Sequence, residues 1–126
     1  MSLESSCQKP QESMKGDIWW IDLDPTEGSE IKKIRPCVII SSDSINFVKE
    51  VRLVVPLTES NRTKEELIWC VTVEPTAQNG LTKKTVADAL QTRCVSIKRF
   101  QNKIGVISAE LIEEIVAAVA AVIEYE

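Results

Sequence analysis

Hydrophobic positions follow the spacing of β-strands over most of this chain. Residues 18–23 alternate, so that Trp19, Ile21 and Leu23 share one face of an extended segment. Short apolar segments between turn-forming or charged residues predict further strands at Cys37–Ser41, Val51–Val55, Leu67–Val73, Thr85–Leu90, Arg93–Val95 and Ile104–Ile107. Residues 61–66 are predicted to form a charged loop, and residues 96–100 a single helical turn. Residues 75–81 are predicted to form a turn that contains Asn79-Gly80, a pair that readily adopts a left-handed backbone.

The last part of the chain has the spacing of a helix. Ser108 is a predicted N-cap, and acidic residues follow it near the positive end of the helix dipole. A broad apolar stripe then runs through Leu111, Ile112, Ile115, Val116, Val119, Val122 and Ile123. We expect this stripe to pack on the core, with part of it available for a dimer contact. The predicted fold is mainly β with a C-terminal helix, either a strongly bent antiparallel sheet or a small SH3-like barrel.

Length and composition predict one globular domain. Residues 1–14 are rich in Ser, Gln, Glu and Lys and are predicted to form a disordered tail, which leaves residues 15–126 as the domain. No apolar run approaches the roughly 18 residues of a membrane helix, and the first residues contain no apolar signal core. We therefore expect a cytoplasmic protein without a membrane partner.

The charge is unevenly distributed. The net charge is −4, but residues 31–103 carry thirteen Lys and Arg against seven acids. The flanking residues 1–30 and 104–126 are both acidic. Binding of a polyanion depends on the local potential, so the acidic total does not exclude RNA.

The chain contains no histidine, and its four cysteines form no CxxC pair. The commonest zinc ligand and the usual general base at neutral pH are therefore both missing. Cys37, Cys70 and Cys94 adjoin apolar positions and are predicted to be buried, reduced thiols, and Cys7 lies in the predicted tail. We expect neither a metal site nor a cofactor.

A basic loop leads into a buried strand at residues 28–41. Arg35 stands where the loop becomes strand, next to Lys32 and Lys33, and Pro36 disfavours a helical backbone at Arg35. A guanidinium in this position is suited to holding a phosphate. Thr58 ends the following apolar strand, where its hydroxyl can be held firmly against a phosphate oxygen or a ribose hydroxyl.

These residues resemble the MazF/PemK (Kid-type) toxin family of small sequence-specific endoribonucleases. The matching residues are Lys15-Gly16-Asp17-Ile18-Trp19, Asp22 to Glu30, Arg35-Pro36, Val54-Val55-Pro56-Leu57-Thr58 and Gln91-Thr92-Arg93. The resemblance implies a compact barrel with a C-terminal helix, usually a homodimer, and a cognate antitoxin that blocks the groove. It also implies a catalytic role for Arg35, and products with a 2′,3′-cyclic phosphate and a 5′-hydroxyl.

Our leading hypothesis is a toxin that cleaves single-stranded RNA without a metal, since RNA supplies its own 2′-OH nucleophile. Arg35 and Thr58 are the predicted catalytic residues. The predicted RNA-binding residues are Gly28, Ser29, Glu30, Lys32, Lys33, Gln91 and Arg93, although Arg93 has the alternative of pairing with a carboxylate in the fold.

The sequence departs from the family pattern at two positions. Some members have an Asp before the late Gln, where this chain has Leu90, and a histidine where it has Ser29. The identity of the general base is left open. The acid nearest to Leu90 is Asp88, two residues earlier and therefore displaced, and Glu30 is a candidate because it is close in sequence to Arg35.

Two rival functions remain. One is a non-catalytic barrel, such as a toxin that inhibits a protein target like gyrase. The other is a cysteine-dependent enzyme, for which no base beside a cysteine stands out.

Overall fold

A single antiparallel sheet organises the chain. In the computed structural model, which describes residues 8–125, its seven strands are β1 (Asp17–Asp22), β2 (Ile34–Ile39), β3 (Val51–Glu59), β4 (Cys70–Val73), β5 (Thr85–Asp88), β6 (Arg93–Ser96) and β7 (Phe100–Val106). Three helices accompany them: α1 (Asp43–Asn46), α2 (Arg62–Glu65) and α3 (Ala109–Val122). The prediction of a mainly β fold with a C-terminal helix is confirmed.

The sheet is open. Its strands run in the order β4-β5-β3-β2-β1-β7, and β6 pairs with the first half of β3. The two end strands, β4 and β7, do not pair with each other within residues 8–125. Of the two predicted forms, the antiparallel sheet is therefore the one adopted. The pairing of β1 with β7 shifts register twice, and such irregularities bend a sheet.

Both faces of the sheet are buried. Trp19, Ile21 and Leu23 belong to one apolar cluster, as their alternation predicts, and the Trp19 and Phe100 rings lie 5.5 Å apart in it. Ile18 points to the other face and belongs to a second cluster, which α3 covers with Ile115. The central strands are buried on both sides for this reason, and their sequences are almost continuously apolar.

Helix α3 begins as predicted. The Ser108 Oγ accepts a hydrogen bond from the Leu111 backbone N–H at 3.3 Å, which satisfies one of the free donors of the first turn. Ile115 is fully buried, whereas Val116 and Ile123 are 41% and 69% exposed, so only part of the apolar stripe packs on the sheet. Among residues 8–125, no helix is long and apolar enough to cross a membrane.

Three segments differ from their predicted structure. The predicted long strand at residues 67–73 is extended only at Cys70–Val73, and the predicted charged loop contains α2. Asn61 explains the helix, because its side-chain oxygen accepts from the Lys64 backbone N–H at 2.8 Å and caps it. Likewise the end of the predicted strand at residues 85–90 is a 3₁₀ turn, Ala89–Gln91, capped by Asp88.

The segment before β1 packs on β3. Pro10–Glu12 forms a 3₁₀ turn, and Ser13 is fully buried. The Arg52 Nε donates to the Ser13 hydroxyl at 3.0 Å, and its Nη2 donates to the Gln11 carbonyl at 3.3 Å. Residues 1–7 of the predicted tail lie outside the described residues, so the boundary at residue 14 stays a prediction.

Candidate active site

Arg35 and Thr58 line the same pocket, which has a volume of about 360 Å³. The antiparallel pairing of β2 with β3 explains why they meet. Cys37 pairs with Pro56 and Val38 with Val55, and Arg35 and Thr58 each stand two residues beyond the Cys37–Pro56 pair. Paired residues lie on the same face of a sheet, and so do residues two apart on one strand, which puts Arg35 and Thr58 at one end and on one face of these two strands.

The Arg35 guanidinium is largely unused by the fold. Its Nε donates to the Lys32 carbonyl at 3.2 Å. The four ion pairs within residues 8–125 all involve lysines, so no carboxylate in that part of the chain neutralises Arg35. A half-buried guanidinium without a counter-ion at a pocket wall is suited to binding a phosphate.

Four further lining residues were not predicted from the sequence. Trp20 is 38% exposed at the wall of the pocket and pairs with Pro36 across β1 and β2. Glu59 and Lys83 form an ion pair of 3.2 Å. Thr85 is 6% exposed, and its Oγ1 has no hydrogen-bond partner among the described residues. The signals in the sequence were weak, since only Glu59 adjoins a predicted site residue.

Lys83 reaches the pocket because the segment before it is anchored on β7. The Asn79 side chain organises this turn, donating to the Glu74 carbonyl at 2.8 Å and accepting from the Leu81 backbone N–H at 3.0 Å. Gly80 has a φ of +68°, and a Cβ there would lie 2.4 Å from the Ile104 carbonyl oxygen. The predicted Asn-Gly turn is therefore present, and it packs directly against β7.

The loop between β1 and β2 carries most of the predicted RNA-binding residues. Gly28, Ser29, Glu30, Lys32 and Lys33 are all exposed. They are not among the residues that line the pocket, and they lie on the segment that leads into Arg35.

Gln91 holds this loop. Its Oε1 accepts from the Ile31 backbone N–H at 3.1 Å, and its Nε2 donates to the Ser29 carbonyl at 3.3 Å. Both ends of the side-chain amide are thus engaged with the loop backbone.

Arg93 and the two candidate bases lie elsewhere. The Arg93 Nη1 donates to the Leu23 carbonyl at 3.1 Å. Glu30 accepts from the Glu27 backbone N–H at 2.6 Å, and Asp88 accepts from the Leu90 backbone N–H at 3.1 Å. Burial raises the pKa of Asp88. Neither carboxylate lines the pocket.

The cysteines are only partly as predicted. Cys37 is fully buried, and burial raises its pKa far above the ordinary thiol value, so it stays protonated and is a poor nucleophile. Cys70 is half-buried, and Cys94 is exposed, which contradicts the prediction of burial for Cys94. Cys94 lies opposite Leu53, which is itself 37% exposed. Within residues 8–125, no three His, Cys, Asp or Glu side chains are grouped so as to hold a metal ion.

The fold is that of MazF toxins. The crystal structure of MazF from Deinococcus radiodurans superimposes with a TM-score of 0.75 at 19% identity, covering 89% of this chain and 96% of that chain. The Mycobacterium tuberculosis toxin MazF-mt6 superimposes with a TM-score of 0.71 at 22% identity, covering 87% and 98%.

Sequence comparison gives the family. The model of the PemK-like, MazF-like toxins of type II toxin–antitoxin systems matches residues 14–123. Endoribonuclease MazF9 of Mycobacterium tuberculosis is 36% identical over 100 residues, covering 75% of this chain and 82% of that protein. Endoribonuclease PemK of Escherichia coli is 29% identical over 84 residues, covering 67% and 61%. The chain belongs to the PemK/MazF family of toxins, and the resemblance in its motifs is confirmed.

Proposed function

We propose that this toxin cleaves single-stranded RNA at a short sequence, without a metal ion, through Arg35 and Thr58. The observation that carries the proposal is the meeting of these two side chains in one pocket. Arg35 comes from the start of β2 and Thr58 from near the end of β3, so both are fixed by the sheet. Groups held on rigid strands can orient a reacting diester.

The chemistry follows from the substrate. The 2′-OH of RNA attacks the adjacent phosphorus, which yields a 2′,3′-cyclic phosphate and a 5′-hydroxyl. Negative charge grows on the phosphate oxygens during this attack, and the planar guanidinium of Arg35 provides paired donors for it. The Thr58 hydroxyl contacts a phosphate oxygen or the 2′-OH. Because the nucleophile is part of the RNA, no metal-bound water is required.

The residues around the pocket select and hold the RNA strand. Unpaired bases expose their edges and stack on aromatic rings, and the exposed part of Trp20 offers such a surface at the pocket wall. The loop between β1 and β2 contacts neighbouring nucleotides through its exposed residues Gly28, Ser29, Glu30, Lys32 and Lys33. Gln91 and Arg93 act through the backbone they hold, since both are bonded to the chain before β2.

The test is cleavage of a labelled single-stranded RNA in EDTA by the parent, Arg35→Ala and Thr58→Ala. We expect the parent to cut, and each variant to lose roughly 10²-fold or more in rate, as when one charge-stabilising donor is removed. Arg62→Ala is a matched control, since Arg62 is exposed on α2 and outside the pocket. Thr72→Ala is the control for Thr58→Ala. Thr72 pairs with Val86 from β4, as Thr58 does from β3, but Thr72 does not line the pocket.

Three results would contradict the proposal. Intact RNA at micromolar parent protein favours a non-catalytic barrel that binds a protein target. Cleavage by the parent that both pocket variants retain means that the site lies elsewhere. Cleavage that EDTA abolishes means that a metal takes part.

We also propose a cognate antitoxin, a homodimer and a cytoplasmic site of action. Solved relatives include an endoribonuclease in complex with its cognate antitoxin from a mycobacterial species. Arg35 and Lys83 give the pocket cationic groups that suit an acidic, disordered antitoxin segment that folds on binding. The exposed part of the α3 stripe, at Val116 and Ile123, is available for a second copy. The cytoplasm is where the proposed RNA substrate occurs.

A further inference from the structure

The pocket contains one carboxylate. Among its lining residues, the ionisable side chains are Arg35, Glu59 and Lys83. We propose that Glu59 is the general base that takes the proton from the attacking 2′-OH. This inference depends on the proposed nuclease function, and it assigns the role that the sequence left open between Glu30 and Asp88.

Glu59 reaches the pocket at the end of β3. Leu57, Thr58 and Glu59 all line the cavity, although successive side chains of a strand point to opposite faces. The side chains of Thr58 and Glu59 therefore leave the strand in opposite directions, and both residues line the pocket at its end. The Lys83 ammonium forms an ion pair with the Glu59 carboxylate at 3.2 Å. Both side chains are well exposed to solvent, so a bound RNA strand can reach them.

The other groups cannot accept the proton. Protonated arginine and lysine side chains can donate protons or hydrogen bonds but cannot accept them, and a threonine hydroxyl is not a base at neutral pH. Glu30 and Asp88 do not line the pocket, and Cys37 is buried with a raised pKa. Glu59 is thus the side chain among the described lining residues that can act as a base.

Water carries a proton between Glu59 and the leaving oxygen in this step and is regenerated. The Glu59 carboxylate takes the proton of the 2′-OH while the 2′ oxygen forms a bond to phosphorus. The bond from phosphorus to the 5′ oxygen then breaks, and that oxygen leaves with the electron pair and takes a proton from water. The hydroxide so formed removes the proton from Glu59 and restores the carboxylate.

Glu59→Gln is the test, because glutamine keeps the shape and the hydrogen-bonding oxygen but accepts no proton at neutral pH. We expect its single-turnover cleavage rate to fall by about 10²- to 10⁴-fold. Its affinity for an RNA carrying a 2′-deoxy nucleotide at the cleaved position should stay within about twofold of that of the parent. The pH–rate profile of the parent should contain one ionisation that the profile of the variant lacks.

Two further variants sharpen the result. Glu74→Gln is the matched control, because Glu74 is 67% exposed against 71% for Glu59, and it pairs with the neighbouring Lys84 but lies outside the pocket. It should cleave at the parent rate. Glu59→Asp keeps a carboxylate on a shorter stem and should recover part of the activity. Thermal unfolding of each variant establishes that it is folded.

The outcomes separate the two proposals. If Glu59→Gln cleaves at the parent rate while Arg35→Ala does not cleave, the general-base role is overturned and the nuclease stands. A slow Glu59→Gln whose pH profile parallels that of the parent, or whose RNA affinity falls in proportion to its rate, also overturns it, because Glu59 would then only position the strand. If the parent leaves RNA intact, both proposals fail.

Discussion

At the scale of single residues, Arg35 illustrates how a fold keeps a charged group available. Its neighbour Pro36 pairs with Trp20, and Arg35 itself pairs with Ile21, so the backbone on which it sits is fixed by β1. Only its Nε is bonded within the described chain, to the Lys32 carbonyl. Arg52, by contrast, is 1% exposed and is committed to carbonyls and a hydroxyl of the fold. The two arginines share a charge and differ in what surrounds them.

Arg35→Lys tests whether the planar group matters or only its charge. We expect cleavage to fall by about 10²-fold, because an ammonium is a point charge that cannot make the paired contact of a guanidinium. Single-turnover cleavage at saturating protein measures the effect, with Arg62→Lys as the control. A lysine variant that cleaves at the parent rate would show that charge alone suffices.

At the scale of elements, the site depends on how two loops are attached to the sheet. The loop between β1 and β2 is held by the Gln91 amide, and Ile31 packs against the Trp19 cluster. The loop before β5 is held by the close packing of the Gly80 backbone on Ile104 of β7. Both attachments join residues far apart in the sequence. The first fixes the segment that leads into Arg35, and the second places Gly80 and Lys83 in the wall of the pocket. Gln91, which the family motif suggests as an RNA contact, has its polar atoms engaged in this attachment.

Gln91→Ala should loosen the first loop and leave the strands intact. The Ile31 N–H loses its acceptor. We therefore expect amide hydrogen exchange in residues 27–33 to become about 2- to 10-fold faster, which corresponds to the net free energy that one hydrogen bond contributes. The KM for RNA should rise more than kcat falls, because the loop positions the strand. Hydrogen exchange and steady-state cleavage measure these effects, and Gln101→Ala, exposed on β7, is the control. Unchanged exchange in the loop would mean that Gln91 does not hold it.

At the scale of the whole molecule, the charges are separated along the chain. The lysines near the pocket belong to residues 31–103, while α3 and the residues after it carry only acids. A net charge of −4 therefore coexists with basic side chains next to Arg35, at Lys32 and Lys33 on its loop and at Lys83 in the pocket. The fold keeps this separation, because the acidic helix packs on the cluster of Ile18 and Ile115, whereas the pocket is lined from the start of β2, the end of β3 and the loop before β5.

RNA binding should weaken with salt in proportion to the phosphates contacted. For single strands, each neutralised phosphate contributes about 0.7 to the slope of log K against log salt. The double variant Lys32→Gln, Lys33→Gln should therefore reduce the slope by about 1.4. Titration of a 2′-deoxy-substituted RNA at several salt concentrations measures it. The control, Lys9→Gln with Lys49→Gln, removes the same charge from residues that do not line the pocket, and it should leave the slope unchanged. Lys49 lies beside Arg52, at the opposite end of β3. A reduced slope in the control would mean that the loop lysines have no special role.

The sequence by itself determined the parts of this protein that depend on neighbouring residues. Alternation placed Trp19, Ile21 and Leu23 on one face, Ser108 fixed the start of α3, and Asn79-Gly80 fixed a turn, because side-chain direction, capping and φ are local properties. Arg35 and Thr58 could be selected for the same reason, since Arg35 stands at the start of one apolar strand and Thr58 near the end of the next.

Only the tertiary structure decided which residues share the pocket. Lys83 and Trp20 are brought to Arg35 by a loop packed on β7 and by pairing across β1, contacts that no short stretch of sequence encodes. The tertiary structure also decided three other features. Gln91 holds the loop between β1 and β2, Cys94 is exposed, and the two end strands of the sheet do not pair within the described residues. Strand register brings distant side chains together, and it depends on the packing of the whole sheet.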